Sequence, residues 1–398
     1  MDIKSGLDQA APEKDEVQRT EHANAPSARA KLSRRDFLGL AAVSAAAVAA
    51  SRVPGLGFAR GGERGTTTRY PLRIPPLAAP GNFNLTAASA TVDVGGQSSS
   101  VLAYNGSFPG PTFIANKGDS ANIQFTNGLS EGTTVHWHGM IVPTAADGQP
   151  QDLVAPGASY AYQFPIVQRA CLNWYHPHPH METGKQVVLG LAGAFIINDA
   201  EEAALGLPSG AYEVPLIVRD ANFNSAGNLI YNPTSSGFLA KNPMVNGTRN
   251  PKLDVDTALY RFRVLNGASA RLFKLALSNG APFHLIGNDG GLLATAVQVN
   301  QIEFSPGERL DVLVDFRGLA VGTKVNLQDV NTGWILLEFN VTRAVTDSHT
   351  IPTALSTITP LSNPVTTRTF SFDGMTRING KEYDHNRIDF QVPFGQTE

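Results

Sequence analysis

From about Asn82 onward, the chain consists of short apolar or alternating runs that Gly, Pro, Asn and Asp interrupt. An alternation of apolar and polar residues with a period of two is typical of strands that bury one face. Runs of this kind occupy residues 91–94, 101–104, 121–125, 161–164 and 193–197. A helical period is confined to a short segment near residues 200–207. Many short strands separated by turn residues predict an all-β protein built as a β-sandwich.

Asn-Gly pairs recur along the chain with similar flanking segments. They are, in order, Asn105-Gly106, Asn127-Gly128, Asn246-Gly247, Asn266-Gly267 and Asn379-Gly380. The first two pairs are 22 residues apart and the next two are 20 apart, and a strand pattern lies within each interval. The last pair begins a third copy with residues 388–392 as its strand, so the repeat predicts two complete sandwiches and a third only begun. Alternatively, these pairs are unrelated hairpin turns, for which Asn-Gly is a common signal.

The repeat and the changes in composition predict six segments. They are a signal region at 1–59, a linker at 60–81, a first sandwich domain at 82–205, a second at 206–345, a Ser/Thr/Pro-rich connector at 346–366, and the truncated start of a third domain at 367–398.

Composition excludes several classes of function. Hydrophobic residues make up 42% of the 398 residues and charged residues 16%, with 38 Gly and 26 Pro, which is typical of a globular chain rich in strands and turns. The net charge of -3 offers no attraction to nucleic acid or to an anionic membrane. Cys171 is the only cysteine, so the sequence contains neither an intrachain disulfide nor a CxxC metal site.

The N-terminal region predicts export. Arg34 and Arg35 directly precede an apolar run at 37–50, whose 14 residues are fewer than the ~20 that a membrane span needs. This arrangement is typical of a twin-arginine signal, with cleavage before Arg60. We therefore expect a periplasmic or extracellular protein without a membrane span in the mature chain. The alternative is an amphipathic or buried Ala-rich helix.

Two short histidine clusters are the main candidates for chemistry. They are His136-Trp137-His138-Gly139 and Trp174-Tyr175-His176-Pro177-His178. Histidines two residues apart point the same way on an extended strand, so each pair can direct two imidazoles at one place. Imidazole suits copper, zinc, iron and nickel, and copper binds most tightly among the divalent ions. One pair alone could be an ordinary hydrogen-bonded pair, but two pairs in one predicted sandwich indicate a metal site.

The motifs around these clusters resemble those of the multicopper oxidase family, best its bacterial copper-efflux and bilirubin oxidase-like branch. The matching segments are residues 104–111, 117–119, 136–139, 147–151, 156–157, 174–178, 190–197, 260–267 and 305–312. The resemblance implies tandem cupredoxin-like Greek-key β-sandwiches. It also implies copper-dependent oxidation of a small reducing substrate, such as a phenol, a metal ion or a pyrrole, with reduction of O2 to water.

The same resemblance assigns a role to each histidine of the two clusters. His136 matches the type 2 copper ligand, His138 and His176 match ligands of one type 3 copper, and His178 matches a ligand of the other. Asp147 matches an acidic residue near the type 2 copper that could supply protons, although a plain turn aspartate is an equal alternative. Together the four histidines would form half of a trinuclear copper centre.

The sequence also departs from the family pattern. The His-Pro-x-His-x-His and His-Cys-His motifs that complete the copper centres are absent from these 398 residues, and Cys171 lacks the neighbours of a type 1 copper ligand. We therefore expect the chain to be inactive as an oxidase alone, unless a separate polypeptide supplies the third domain. The alternatives are a non-enzymatic periplasmic scaffold, like the family's cell-division relative, or an inert fragment.

Overall fold

The computed structural model describes residues 67–398 except 362, 375, 385 and 394. The predicted signal region lies outside these residues. The first ten strands are β1 (Tyr70–Pro71), β2 (Leu77–Ala78), β3 (Phe83–Asp93), β4 (Ser98–Tyr104), β5 (Thr112–Asn116), β6 (Ser120–Asn127), β7 (His136–His138), β8 (Ser159–Pro165), β9 (Cys171–His176) and β10 (Gly193–Asn198). The five segments predicted as strands from their alternation all fall in these elements, apart from the end residue Val94.

Two sheets form the first sandwich. One has the order β2-β5-β10-β9-β7, and the other has the order β4-β3-β6-β8. Burial alternates along β6, where Ala121, Ile123 and Phe125 are buried. These residues join side chains from the facing sheet, including Phe113 and Trp137, in one hydrophobic core. Burial of one face of each strand is the physical reason for the period of two in the sequence.

The second sandwich follows directly. Its strands are β11 (Glu213–Phe223), β12 (Leu229–Ile230), β13 (Asn242–Val245), β14 (Thr248–Arg249), β15 (Pro251–Asp256), β16 (Leu259–Asn266), β17 (Phe273–Leu277), β18 (Phe283–Asn288), β19 (Gly291–Val299), β20 (Gln301–Phe304), β21 (Arg309–Asp315), β22 (Lys324–Asp329) and β23 (Trp334–Arg343). One sheet has the order β1-β15-β23-β22-β17-β20 and the other β14-β13-β11-β16-β21-β18-β19, with β12 paired to β11. The predicted all-β class and the tandem sandwiches are therefore confirmed.

The predicted linker contributes a short strand to each sandwich. Tyr70–Pro71 pairs in parallel with β15 of the second sandwich, and Leu77–Ala78 pairs in parallel with β5 of the first.

Helices are few in the described part of the chain. They are α1 (Thr183–Leu189) and α2 (Ala200–Ala203), with 3-10 turns at Thr144–Ala146 and Gly210–Tyr212. Helix α2 is shorter than the segment predicted at 200–207, and α1 was not predicted. The sequence of α1 contains Gly184 and two β-branched valines, and its N-cap residue makes no side-chain cap. Its last turn is buried against other elements, so packing rather than propensity supports it.

The asparagines of the repeat make matching hydrogen bonds. In each first Asn-Gly pair, both residues have positive φ angles, as a two-residue hairpin turn requires. Each of these asparagines makes two hydrogen bonds to the backbone of one partner residue. Its backbone N–H donates to the partner's carbonyl, and its side-chain oxygen accepts from the partner's N–H. The pairs are Asn105 with Thr86, Asn246 with Ile217 and Asn379 with Ser371. The second asparagines, Asn127 and Asn266, share a different pattern, because each accepts from the N–H two residues later and donates to two carbonyls. The three Asn-Gly copies thus have a common local structure.

The strand predicted at 388–392 is wrong. The C-terminal segment instead forms a small sheet of β24 (Phe372–Asp373), β25 (Arg377–Ile378) and β26 (Lys381–Glu382). Residues 388–392 pair with no strand of the described chain, and Ile388 and Val392 remain exposed. An alternating pattern alone does not make a strand when no neighbour accepts its backbone hydrogen bonds.

Candidate metal centre

Strands β7 and β9 carry three of the four predicted histidines. They pair antiparallel, with His136 opposite His176 and His138 opposite Trp174. Trp137 lies between the two histidines of β7 and is fully buried in the core. Because side chains alternate along a strand, burial of Trp137 directs both His136 and His138 to the other face.

The imidazoles of these strands meet at that face. His138 Nδ1 lies 3.2 Å from His176 Nε2. One ring nitrogen from each of His136, His138 and His176 falls within 4.8 Å of the others. Three imidazoles at this spacing are a suitable ligand set for a metal ion that prefers nitrogen.

His178 lies beyond the end of β9 and still reaches the same place. Its backbone N–H donates to the Thr134 hydroxyl at 2.8 Å, which fixes the chain after Pro177. Its ring centroid is 5.2 Å from that of His136 and 5.9 Å from that of His176. Its buried Nδ1 has no hydrogen-bond partner within the described chain, so this nitrogen is available to a ligand. All four predicted histidines are thus brought together, although His178 is outside the closest trio.

The surroundings favour the neutral form of His138, His176 and His178. Burial, together with the positive charge of Arg309 and the neighbouring histidines, lowers the pKa of His138 to about 4. Burial likewise lowers the pKa of His176 and of His178. A neutral imidazole carries the lone pair that binds metal, so near pH 7 these three residues need to lose no proton before binding. The donor set therefore fits an imidazole-preferring metal such as copper.

Asp147 orients His136. His136 Nδ1 donates to the backbone carbonyl of Asp147 at 2.9 Å, and the Asp147 carboxylate lies 3.2 Å from the same nitrogen. This contact places the proton on Nδ1 and leaves Nε2 as the lone-pair nitrogen. Gly148 has a φ of +64°, and a Cβ there would collide with the Val135 carbonyl, so a glycine is required for this approach.

Trp174 is one of the aromatic residues that flank the histidines in the sequence, and it packs on the imidazoles. It is buried, and its ring centroid is 4.1 Å from that of His176 and 5.0 Å from that of His138. The indole therefore covers one side of the imidazoles and excludes water there. Its position two residues before His176 indicates that it lies on the same face of the strand as that histidine.

Cys171 and His180 lie near the second cluster in the sequence but are not members of the closest trio of imidazoles. Burial raises the pKa of the Cys171 thiol, which accepts a hydrogen bond from the Asn173 amide. The ring of His180 stacks on Tyr383 at 5.4 Å.

Tandem β-sandwiches with a histidine cluster on one sheet edge define a metal-binding class of protein, and comparison with known proteins identifies the family. The family model for multicopper oxidases matches residues 86–202. The multicopper oxidase mco of Staphylococcus haemolyticus is 35% identical over 75% of this chain and 65% of its own length. Cell division protein FtsP of Shigella dysenteriae is 31% identical over 92% of this chain and 81% of its own length.

Solved structures agree with this assignment. The McoA multicopper oxidase from Aquifex aeolicus has a TM-score of 0.73 and 36% identity, and the match covers 79% of this chain and 75% of that one. The laccase-like multicopper oxidase CueO from Ochrobactrum has a TM-score of 0.76 and 31% identity, covering 82% and 81%. The chain belongs to the multicopper oxidase family, and copper is the metal expected at its cluster. It spans 65% of the length of the Staphylococcus haemolyticus relative.

None of the helices in the described residues has the length and apolar character of a membrane span.

Proposed function

We propose that this chain provides half of the trinuclear copper centre of a multicopper oxidase. The observation that carries this proposal is the convergence of His136, His138, His176 and His178. Burial lowers the pKa of the last three. Copper bound there would supply the one-electron chemistry that couples oxidation of a small substrate to reduction of O2 to water.

Each protein residue has a defined part in this proposal. His136 is the type 2 copper ligand, and Asp147 fixes its tautomer and holds a carboxylate close enough to exchange protons at the site. His138 and His176 bind one type 3 copper, and His178 binds the other. Trp174 packs on two of the rings and limits the access of water.

The ligands supplied by this chain alone are too few for oxidase activity. Divided among three coppers, four histidines leave one or two protein ligands for each, whereas three or four are usual at a protein metal site. We propose that a further polypeptide segment, on a separate chain or otherwise, supplies the remaining ligands and the type 1 site.

The test is oxygen uptake by the purified 398-residue chain with added Cu(II) and a phenolic substrate. We expect no oxygen uptake above that of copper alone. We also expect no intense blue absorption of a thiolate-bound copper, because the only cysteine, Cys171, is buried and accepts a hydrogen bond from Asn173. We also expect the same chain to retain copper after dialysis, because its four histidines bind the metal. Copper-dependent uptake that is lost in His138→Ala would show that this chain completes a reactive centre by itself.

A non-enzymatic scaffold is the second candidate function. The match to a cell division protein over 92% of this chain favours it. A scaffold has no chemical need for four converging imidazoles, so the geometry of the cluster favours the copper protein. Retention of no copper by the folded chain would reverse this preference.

We also propose export by the twin-arginine route to the periplasm or beyond. Changing Arg34→Lys with Arg35→Lys should hold the precursor in the cytoplasm, because this route recognises the arginine pair. The measurement is the distribution of the protein between cytoplasmic and periplasmic fractions of a bacterial host. Arg29→Lys is the matched control and should leave export unchanged; normal export of the double variant would contradict the twin-arginine route.

A further inference from the structure

A loop of the second sandwich reaches the histidine cluster of the first. This loop lies between β20 and β21 and includes Gly307, whose φ is +81°. A Cβ on Gly307 would lie 3.2 Å from His138 Cε1 and 3.8 Å from Trp174 Cζ2. The backbone at Gly307 therefore packs directly against the imidazole of His138 and the ring that covers it.

Arg309 follows this loop as the first residue of β21 and is buried, with 4% of its surface exposed. Its Nε donates to the carbonyl of Leu172 at 3.1 Å, and its Nη1 donates to the carbonyl of Gly307 at 3.0 Å. Asp289, on the second sandwich, balances its charge at 2.9 Å. The guanidinium is thus bonded to both sandwiches at once.

The guanidinium also lies against the strand that carries His138. A Cβ on Gly139 would collide with Arg309 Nη2, so the backbone just after His138 passes closely over this group. Leu172 belongs to β9 and lies four residues before His176, on the same face of that strand. Arg309 therefore contacts β9 and the backbone directly after β7, the two strands whose imidazoles meet.

We propose that Arg309 is a positioning residue for the copper centre. Its donors tie β9 to the Gly307 loop, and its guanidinium packs against the backbone at Gly139, directly after β7. That arrangement sets the approach of His138 to His176. This inference rests on the proposed function, since it assigns to the second sandwich a part in shaping the same copper site.

The chemistry of arginine suits this task. Its planar guanidinium presents five N–H donors in a fixed geometry, so it can bond several carbonyls on different elements simultaneously. Lysine retains the charge but not the planar geometry. Arg309→Lys therefore removes the positioning while preserving the electrostatic field at the cluster.

A matched control exists in Arg219. This residue also belongs to the second sandwich, is 4% exposed, and donates to carbonyls of the first sandwich, those of Val187 and Val188. Its partners lie in α1 rather than in β7 or β9. Arg219→Lys should therefore reproduce any general loosening between the sandwiches without disturbing the histidines directly.

The experiment compares both lysine variants with the unaltered chain. The readouts are the Cu(II) dissociation constant, the Cu(II) EPR spectrum, and the 15N-histidine NMR spectrum of the metal-free chain. We expect Arg309→Lys to weaken copper binding by about tenfold or more, as loss of supporting contacts around metal ligands typically does, and to shift the EPR and His138 signals. Arg219→Lys should leave all three unchanged.

Unchanged readouts in a folded Arg309→Lys variant would overturn the inference, and so would equal changes in both variants. If Arg309→Lys does not fold, Gly307→Ala provides a second test of whether this loop positions His138. This variant keeps Arg309 and adds a methyl group against His138. A shift of the His138 resonance supports positioning by this loop, and no shift contradicts it. An unaltered chain that retains no copper would refute the proposed function. The NMR comparison of the metal-free variants would still test whether Arg309 positions His138.

Discussion

Replacement of His138 and His176 together by alanine should abolish copper binding by this chain. The two rings face each other with 3.2 Å between Nδ1 and Nε2, and both belong to the closest trio of imidazoles. Their loss leaves His136 and His178, which is too few protein ligands for a stable site. Copper content after dialysis should fall from roughly one ion per chain to background, since imidazoles are the ligands that suit Cu(II) here.

The control is the same double change at His284 and His349, which lie elsewhere. His284 is on β18 of the second sandwich, and His349 bonds to Asp347. Copper retention should be unaffected in this variant. Equal retention by the His138→Ala, His176→Ala variant and the unaltered chain would show that copper binds outside the cluster.

Loss of Arg263 should destabilise the fold more than any surface change. Arg261 and Arg263 lie side by side on one face of β16 and are almost fully buried. Three carboxylates surround them: Glu202, Glu213 and Asp311. Although burial alone disfavours the charge, these carboxylates raise the pKa of Arg261 above its usual value, so both arginines stay charged.

The expected cost of Arg263→Met follows from this packing. Glu202 accepts from Arg263 Nη2 at 2.7 Å, and Glu213 also contacts this arginine. With Arg263 removed, three buried or half-buried carboxylates face one arginine. Breaking a buried ion pair from one side typically lowers the free energy of unfolding by about 3–5 kcal/mol. Urea denaturation followed by tryptophan fluorescence measures this change.

The matched control is Arg343→Met, which breaks a pair between an exposed arginine and the buried Asp256. Water screens this pair because the Arg343 side chain is 69% exposed, so its loss should have a much smaller effect. A similar loss of stability in both variants would contradict a special role for burial in the Arg263 network.

Several strands of the first sandwich could be predicted from the sequence because each has one buried face. Residues 121–125, for example, lie within β6, where Ala121, Ile123 and Phe125 are buried. The histidine pairs were equally visible, since alternation along β7 places His136 and His138 on one face whatever the partner strand.

Features that depend on contacts between distant segments were not predictable. The guanidinium of Arg309 is separated from Leu172 by 137 residues, and no local pattern indicates that they meet. Arg261 and Arg263 belong to a strand whose residues are all buried. Their charge in the sequence instead indicates a face exposed to solvent, so their burial was not predictable. The prediction for residues 388–392 failed in the opposite way. Their alternating pattern indicated a strand, but they pair with no strand of the described chain.

Pulsed EPR of the Cu(II)-loaded chain with 15N-labelled histidine tests the copper centre most directly. If the cluster binds copper, the spectrum should show coupling to at least three imidazole nitrogens, matching the trio of His136, His138 and His176. These couplings should disappear in the His138→Ala, His176→Ala variant and persist in the His284→Ala, His349→Ala control. A copper signal with one imidazole or none, unchanged in the cluster variant, would contradict a copper site at these histidines.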